Sequence, residues 1–292
     1  GHVEEAVLSL HPDEMRRRRL QSGDLIKVRS RRGSLILPVQ ADDSIRAGQA
    51  YLPMHWGNRF LKGLGTNVLT QPAFDPLSKQ PELKHAGVEV EKVELPWTFF
   101  ALVEGQVQTR FEALRPLFEG FAYANLNLTG RERPALLIRA ACAVAPEPEL
   151  LAQIDQLLGL HEGPVLAYDD PRKAVGKRVR IEDGRITAIR LAGETAARDW
   201  LKSLWNDGQA DADLRRWLLA PLSTPPGAAS GRKASKTLCN CLNVSQDAVC
   251  AGIARGLDLD GLKQELKCGT SCGSCVPEIK RLLATAPIAI NA

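Results

Sequence analysis

Six of the seven cysteines in this chain fall between Cys239 and Cys275, and this clustering restricts the fold more than any other feature. Cys142 stands alone. The N-terminus lacks the apolar core of a secretion signal, so closely spaced thiols indicate metal ligands or redox groups rather than disulfide partners. The sequence therefore predicts a small metal-binding or redox unit at its C-terminal end.

The clustered cysteines contain two close pairs. Cys239-Asn-Cys241 and Cys272-Gly-Ser-Cys275 are separated by 30 intervening residues, and such pairs can bring four thiolates to one metal centre. Pro277 and Glu278 mark the start of a helix just after the second pair. Its positive end is expected to favour thiolate over thiol. Zinc remains an alternative, although its C-x2-C pairs usually lie about 15 to 20 residues apart.

Residues 236 to 284 resemble the bacterioferritin-associated-ferredoxin-like domain. The resemblance lies in Thr237-Leu-Cys-Asn-Cys-Leu-Asn-Val-Ser245, in a helix over 246–255 that Gly256 follows, and in Gly269-Thr-Ser-Cys-Gly-Ser-Cys275. It implies a small all-α domain over 237–286 that binds a 2Fe-2S cluster. The implied ligands are Cys239, Cys241, Cys272 and Cys275. Cys268 is then expected to be non-ligating, and Cys250 to lie in the core.

The first hundred residues predict a β-rich unit with one long loop. Strand patterns cover 24–30, 34–39, 49–53 and 88–93. A short helix begins at His11-Pro12-Asp13-Glu14 and ends in the run Arg16 to Arg19. The helix dipole accounts for these arginines at a solvated helix end, and contact with an anionic group is the alternative. Residues 54–86 are irregular, and a loop of this length in a compact domain is typical of a functional one.

This N-terminal unit resembles the dinucleotide-binding domain of the bis-molybdopterin-guanine-dinucleotide oxidoreductases. The matching blocks are Leu10-His-Pro12, 23–33, Tyr51-Leu-Pro-Met-His-Trp-Gly57, Thr66-Asn-Val-Leu-Thr70 and 74–82. The resemblance implies a six-stranded, barrel-like β domain over 1–96 that covers the molybdenum cofactor. The implied cofactor contacts are Met54, His55, Trp56, Asn67 and Lys84. Structural roles remain open for Trp56 in the core, Asn67 in a turn and Lys84 in solvent.

The middle region, 97–222, has an α+β pattern without a cluster of chemically reactive side chains. Helices are predicted over 111–121, 149–160, 196–205 and 211–219. The dipeptide Asp183-Gly184 predicts a hairpin between strands 175–182 and 185–191. Cys142 is expected in the core as a small hydrophobic residue. Residues 223–236 have the composition of a flexible linker, so the chain is predicted to be multidomain.

Together, the resemblances at the two ends of the chain narrow the range of possible functions. A molybdopterin oxidoreductase with this 2Fe-2S domain resembles the bacterial assimilatory nitrate reductases. That resemblance implies molybdenum-dependent reduction of nitrate to nitrite, with electrons from a NADH-dependent reductase subunit, ferredoxin or flavodoxin. The chain begins at Gly1 rather than Met, so we expect a C-terminal part of a longer polypeptide. The molybdenum ligand, a 4Fe-4S cluster and the catalytic residues are then expected upstream, with no catalytic residue in this part.

Two other functions fit the sequence. One is a formate dehydrogenase-type molybdopterin oxidoreductase with a fused electron-transfer tail, and the other is a zinc-stabilised interaction module. The net charge of +4 comes from well-mixed basic and acidic residues, which argues against nonspecific nucleic-acid binding. No apolar stretch has the length of a membrane span. We therefore expect a cytoplasmic protein without nucleic-acid or membrane partners.

Overall fold

The computed structural model describes residues 5–82, 84–130, 133–207, 212–226, 237–239, 242 and 244–285. Those up to residue 226 form one compact unit, and those from residue 237 onwards belong to a second. Residues 227–236 of the predicted linker 223–236 lie outside the described residues. Of the helices in the described part of the chain, none combines the length and apolar composition that crossing a bilayer requires.

The first unit begins with a five-stranded sheet. Its strands are β1 (Leu8–Leu10), β2 (Leu25–Arg29), β3 (Ser34–Ala41), β4 (Ala50–Tyr51) and β5 (Glu89–Lys92), in the order β4-β1-β3-β2-β5. β1 and β3 are parallel, and the other pairs are antiparallel. The alternation in β2 buries Ile26 and Val28 completely. The resemblance implied six strands in a barrel, whereas the described residues form five, because the prolines and glycines of 54–86 interrupt strand pairing.

The arginine run lies at the end of α1 (Pro12–Arg17), as predicted from the helix dipole. Arg17 and Arg18 donate to the Glu14 carboxylate at 2.7 and 3.3 Å, and Arg16 pairs with Asp13. Arg18 also donates to the Val90 carbonyl at 2.9 Å, which ties the helix to β5. Three of these four guanidinium groups are therefore engaged within the unit.

A six-stranded antiparallel sheet follows in the same unit. Its strands are β6 (Trp97–Glu104), β7 (Tyr123–Thr129), β8 (Ala135–Cys142), β9 (Val165–Asp170), β10 (Val175–Glu182) and β11 (Arg185–Ala192), in the order β7-β8-β6-β11-β10-β9. The predicted hairpin joins β10 to β11, and Asp183 and Gly184 adopt φ values of 50° and 76°. Two successive residues with positive φ are typical of the turn type that Asp-Gly favours.

Helices cover both faces of this sheet. They are α2 (Val107–Leu114), α3 (Pro148–Leu158), α4 (Arg198–Asp207) and α5 (Ala212–Arg215). α2 and α3 contribute to the core on one face, which also contains Cys142 as predicted, and α4 packs on the other face. The predicted helix 111–121 is instead α2 followed by a 3-10 helix over 115–120. Pro116 lies at this junction and lacks the N–H that an α-helix requires.

Among the bidentate ion pairs that hold this sheet and its helices, two differ in burial. Arg190 of β11 donates to both oxygens of Asp155 of α3 at 2.9 and 2.5 Å, and the two side chains are 4% and 12% exposed. Arg178 of β10 donates to both oxygens of Asp169 of β9 at 2.9 and 2.8 Å, but the Asp169 side chain is 52% exposed. Both pairs are therefore bidentate, but solvent screens the Arg178–Asp169 pair more than the Arg190–Asp155 pair.

Part of the long loop pairs with the edge of the six-stranded sheet. The Lys62 N–H donates to the Ala124 carbonyl at 2.9 Å, and the Leu126 N–H donates to the Phe60 carbonyl at 2.8 Å. Leu61 forms an isolated bridge with Asn125 of β7. These bonds link the loop to β7 within the first unit.

The second unit packs three helices beside a small β ladder. β12 (Thr237–Cys239) pairs antiparallel with β13 (Val244–Ser245), and α6 (Gln246–Ala254), α7 (Leu259–Leu266) and α8 (Val276–Thr285) follow. The Ser245 Oγ caps α6 by accepting from the Ala248 N–H at 3.1 Å. The prediction of an all-α domain was wrong, because strands this short carry no detectable periodicity and only their pairing defines them.

Candidate functional site

Three cysteines of the second unit lie in one core. Cys239 ends β12, Cys268 follows α7, and Cys275 immediately precedes α8. The carbonyl oxygen of Cys275 accepts from the Ile279 N–H at 3.0 Å, a bond of the first turn of α8. The three cysteines are 3%, 0% and 5% exposed. Their shared apolar neighbours include Val249, Leu262 and Ile279. The fold thus gathers three sulfur atoms from separate segments into a water-poor environment.

The thiols of Cys239 and Cys275 interact directly. Burial, a hydrogen bond with Cys239 and the charge of Cys239 together raise the pKa of Cys275 to about 11. Hydrogen bonds from the backbone N–H groups of Gly269 and Cys275 itself act in the opposite direction. We expected the helix start to favour thiolate, and this expectation was wrong for Cys275, because burial and the second sulfur outweigh the backbone donors.

This donor set fits a bound cationic metal centre. Two adjacent buried sulfurs repel each other as thiolates, and a metal cation supplies the positive charge that lets both deprotonate. The N–H groups directed at Cys275 are donors of the kind that stabilise cluster sulfurs. Gly269 adopts a φ of 78°, and a Cβ there would lie 2.8 Å from Cγ2 of Val276. Glycine is therefore required where the backbone approaches Cys275.

Of the other two predicted ligands, the structure describes Cys272 alone and does not place it in this core. Cys272 is exposed, and its Sγ lies 3.0 Å from the Ser274 Oγ. Cys241 lies outside the described residues. Within the part of the chain that the structure describes, no three side chains of the metal-ligating types meet as a metal site. Of the predicted ligands, the structure therefore brings Cys239 and Cys275 together.

Cys250 was expected in the core, and this was wrong. It is exposed on α6, whose inward face instead presents Val249 and Gly252. Single-residue steps around a helix separate neighbours by about 100°, so Val249 and Cys250 face different directions.

In the first unit, the predicted cofactor turn at 54–57 is held by the segment that precedes Asn67. The Thr66 N–H donates to the Trp56 carbonyl at 2.9 Å, and the Thr66 Oγ1 donates to the Met54 carbonyl at 3.0 Å. Met54 and His55 are exposed, whereas the Trp56 ring is partly buried edge-on against Phe60 with centroids 5.9 Å apart. The fold thus places the turn next to the segment that carries Asn67.

An open groove of about 740 Å³ lies beside Asn67. Arg32, Phe74 and Lys79 also line it, and none of its lining residues is acidic. The Lys79 Nζ lies 5.4 Å from the centroid of the Phe74 ring. Two cations, an amide and an aromatic ring suit a ligand with phosphate groups and a planar base.

The groove contains residues that the sequence did not single out. Arg32 lies in the β2–β3 turn, where Gly33 has no room for a Cβ beside Val68 of the 3-10 helix Thr66–Leu69. This close packing brings the turn to Asn67. By contrast, Met54, His55, Trp56 and Lys84 are not among the lining residues, and Lys84 is exposed. In the sequence, Lys79 could have been recognised as a candidate because it lies within the matching block 74–82.

Comparison with protein families matches both ends of the chain. Residues 1–87 match the Molydopterin dinucleotide binding domain, and residues 237–285 match the BFD-like [2Fe-2S] binding domain. The chain carries both domains. This combination fits the C-terminal part of a molybdopterin oxidoreductase and supports bis-molybdopterin guanine dinucleotide and a 2Fe-2S cluster as its cofactors.

Curated relatives agree with this assignment. The chain is 28% identical over 297 residues to a nitrate reductase of Klebsiella oxytoca, across 97% of this chain and 31% of that protein. It is 34% identical over 91 residues to the F420-dependent formate dehydrogenase subunit alpha of Methanocaldococcus jannaschii, across 31% of this chain and 13% of that one. A Methanococcus maripaludis F420-dependent formate dehydrogenase 1 subunit alpha is 29% identical over 91 residues. The chain therefore spans less than a third of each of the first two relatives.

Proposed function

We propose that this chain belongs to a nitrate reductase of nitrate assimilation, in which it covers the molybdenum cofactor and relays electrons through a 2Fe-2S cluster. One observation favours nitrate over formate as the substrate. The similarity to the Klebsiella oxytoca nitrate reductase extends over 97% of the chain, whereas the similarity to the formate dehydrogenases covers 31%. The middle region is therefore shared with the nitrate enzyme.

The proposed cluster ligands are Cys239, Cys241, Cys272 and Cys275. Burial of the first and last of these beside each other, and the backbone donors directed at Cys275, support this assignment. When bound, such a cluster accepts and donates one electron at a time. The surrounding residues of this chain exclude water and hold the sulfurs in place, and α8 begins directly after the last ligand.

The proposed contacts to the molybdopterin guanine dinucleotide are Met54, His55, Trp56, Asn67 and Lys84. The hydrogen bonds from Thr66 to the 54–57 turn support a shared position for the turn and Asn67. The positive groove beside Asn67 provides partners for an anionic ligand. Binding and orientation of the cofactor are thus the roles of this domain, while the molybdenum supplies the oxidation–reduction chemistry.

The proposal includes partners that lie outside this chain. Nitrate is the substrate, and the electron donor is a NADH-dependent reductase subunit, ferredoxin or flavodoxin in the cytoplasm. A 4Fe-4S cluster and the molybdenum ligand belong to the remaining part of the enzyme.

The cluster assignment is tested on the purified chain by the substitution Cys272→Ser, with the exposed Cys250→Ser as its control. We expect the visible absorption of the cluster to be lost in Cys272→Ser and retained in Cys250→Ser. Tightly bound zinc without acid-labile sulfide in the unsubstituted chain would contradict the assignment and support an interaction module.

The substrate is tested on the natively purified enzyme that contains this chain. Reduced viologen supplies electrons for nitrate, and oxidised viologen accepts them from formate. We expect nitrate reduction without formate oxidation. The reverse pattern would show a formate dehydrogenase with an electron-transfer tail.

A further inference from the structure

Cys268 is a buried thiol for which the proposed ligand set has no role. It lies two residues after the end of α7, and its side chain is completely enclosed in the core that also contains Cys239 and Cys275. A buried free cysteine is ordinarily a small hydrophobic residue. Here, however, its neighbours include two proposed cluster ligands. Burial first, and then the charge of Cys239, raise the pKa of Cys268.

The hydrogen of the Cys268 thiol has a backbone carbonyl as its acceptor. Sγ donates it to the carbonyl oxygen of Leu262 in α7 at 3.6 Å. A thiol has a single S–H donor, so Cys268 offers no hydrogen bond to Cys239 or Cys275. What remains available to Cys239 is the sulfur atom with its lone pairs, which is the negative end of the S–H dipole.

We propose that Cys268 is a positioning residue of the iron–sulfur centre: a neutral, non-ligating thiol, held by the Leu262 carbonyl, that lowers the reduction potential of the cluster by its effect on Cys239. Reduction adds one electron to the cluster, and the negative end of a nearby dipole opposes the added charge. Because the site is buried, this effect is weakly screened. The inference rests on the proposed 2Fe-2S centre.

Three substitutions at this position separate the dipole from packing and from ligation. Serine keeps a donor for the Leu262 carbonyl, valine fills a similar volume without a donor, and alanine leaves a cavity. The full chain is purified anaerobically with its cluster, and iron, sulfide and the midpoint potential are measured by a redox titration followed by electron paramagnetic resonance. Cys250→Val, on the exposed side of α6, is the matched control.

We expect each Cys268 variant to contain as much cluster as the unsubstituted chain. The potential should shift upwards in Cys268→Val and Cys268→Ala, stay at or below the original value in Cys268→Ser, and not change in Cys250→Val. If the valine and alanine variants do not fold, Cys268→Ser still tests the inference, because a raised potential in that variant overturns it.

Other outcomes also overturn the inference. An unshifted potential in Cys268→Val shows that the dipole has no effect, and a shift in Cys268→Ala alone assigns the effect to water in a cavity. If both apolar variants fold but lack the cluster while Cys268→Ser retains it, Cys268 is a ligand. Absence of iron and sulfide from the unsubstituted chain overturns the proposed function as well, whereas an intact centre with unshifted potentials overturns this inference alone.

Discussion

Two glycines beside Cys272 allow backbone strain to be separated from crowding at the proposed cluster. Gly269 and Gly273 have φ values of 78° and 72°. Alanine in this left-handed region costs about 1–2 kcal/mol at either position. At Gly269 the new Cβ would also lie 2.8 Å from Cγ2 of Val276, whereas at Gly273 nothing lies within 4 Å. Overpacking against a stiff β-branched side chain costs about 1–3 kcal/mol more.

We therefore expect Gly273→Ala to lower the free energy of unfolding of the second unit by about 1–2 kcal/mol, and Gly269→Ala by about 2–5 kcal/mol. A domain of about 60 residues has a stability of only about 3–9 kcal/mol, so the second loss is a large fraction of the total. The assay is urea denaturation of the full chain, followed by the visible absorption of the cluster, which reports on this unit. With a slope of about 1 kcal/mol per M, the midpoints fall by about 1–2 M and about 2–5 M.

The double variant Gly269→Ala/Val276→Ala tests the cause. Removing Cγ2 of Val276 should bring the additional loss at Gly269 back towards the loss seen for Gly273→Ala. Equal midpoints for Gly269→Ala and Gly273→Ala would refute the reasoning. It would also be refuted if Gly269→Ala lowered the midpoint as much in the Val276→Ala background as in the unsubstituted chain.

Further predictions concern other parts of the chain. Asp155→Ala leaves Arg190 buried and unpaired and should lower the free energy of unfolding by about 3–5 kcal/mol in urea denaturation. The same change at the exposed Asp169 should lower it by less than about 1 kcal/mol. Similar losses for the two variants would contradict the role of burial. Ser245→Ala removes the cap of α6 and should cost about 1 kcal/mol, measured by the cluster absorption, and an unchanged midpoint would contradict it. Asn67→Ala in the native enzyme should weaken retention of the guanine nucleotide about fivefold, as loss of one hydrogen bond of about 1 kcal/mol predicts; unchanged nucleotide content would contradict the proposed contact.

Features with local causes could be predicted from the sequence. The Asp183-Gly184 hairpin follows from two residues that tolerate positive φ between alternating apolar segments. The helix that the resemblance placed over 246–255 is present as Gln246–Ala254, and the Ser245 side chain caps it. The burial of Cys142 follows from its apolar surroundings. In each case the decisive interaction lies within a few residues along the chain.

Features that depend on packing could not be predicted. Arg32 reaches the groove because Gly33 packs against Val68, a contact between distant parts of the sequence. Burial, and then Cys239 on a different element, raise the pKa of Cys275, so the helix dipole alone gave the wrong direction. The β12–β13 ladder exists only through its pairing.

The central claim is that thiolates from two separated segments of the second unit hold a cluster of iron and sulfide. The most direct measurement determines iron, zinc and acid-labile sulfide in the anaerobically purified full chain, together with its electron paramagnetic resonance spectrum after reduction. We expect iron and sulfide in equal amounts, as a [2Fe-2S] centre requires, and a spectrum that appears on one-electron reduction. Stoichiometric zinc, no sulfide and a silent spectrum would contradict the account.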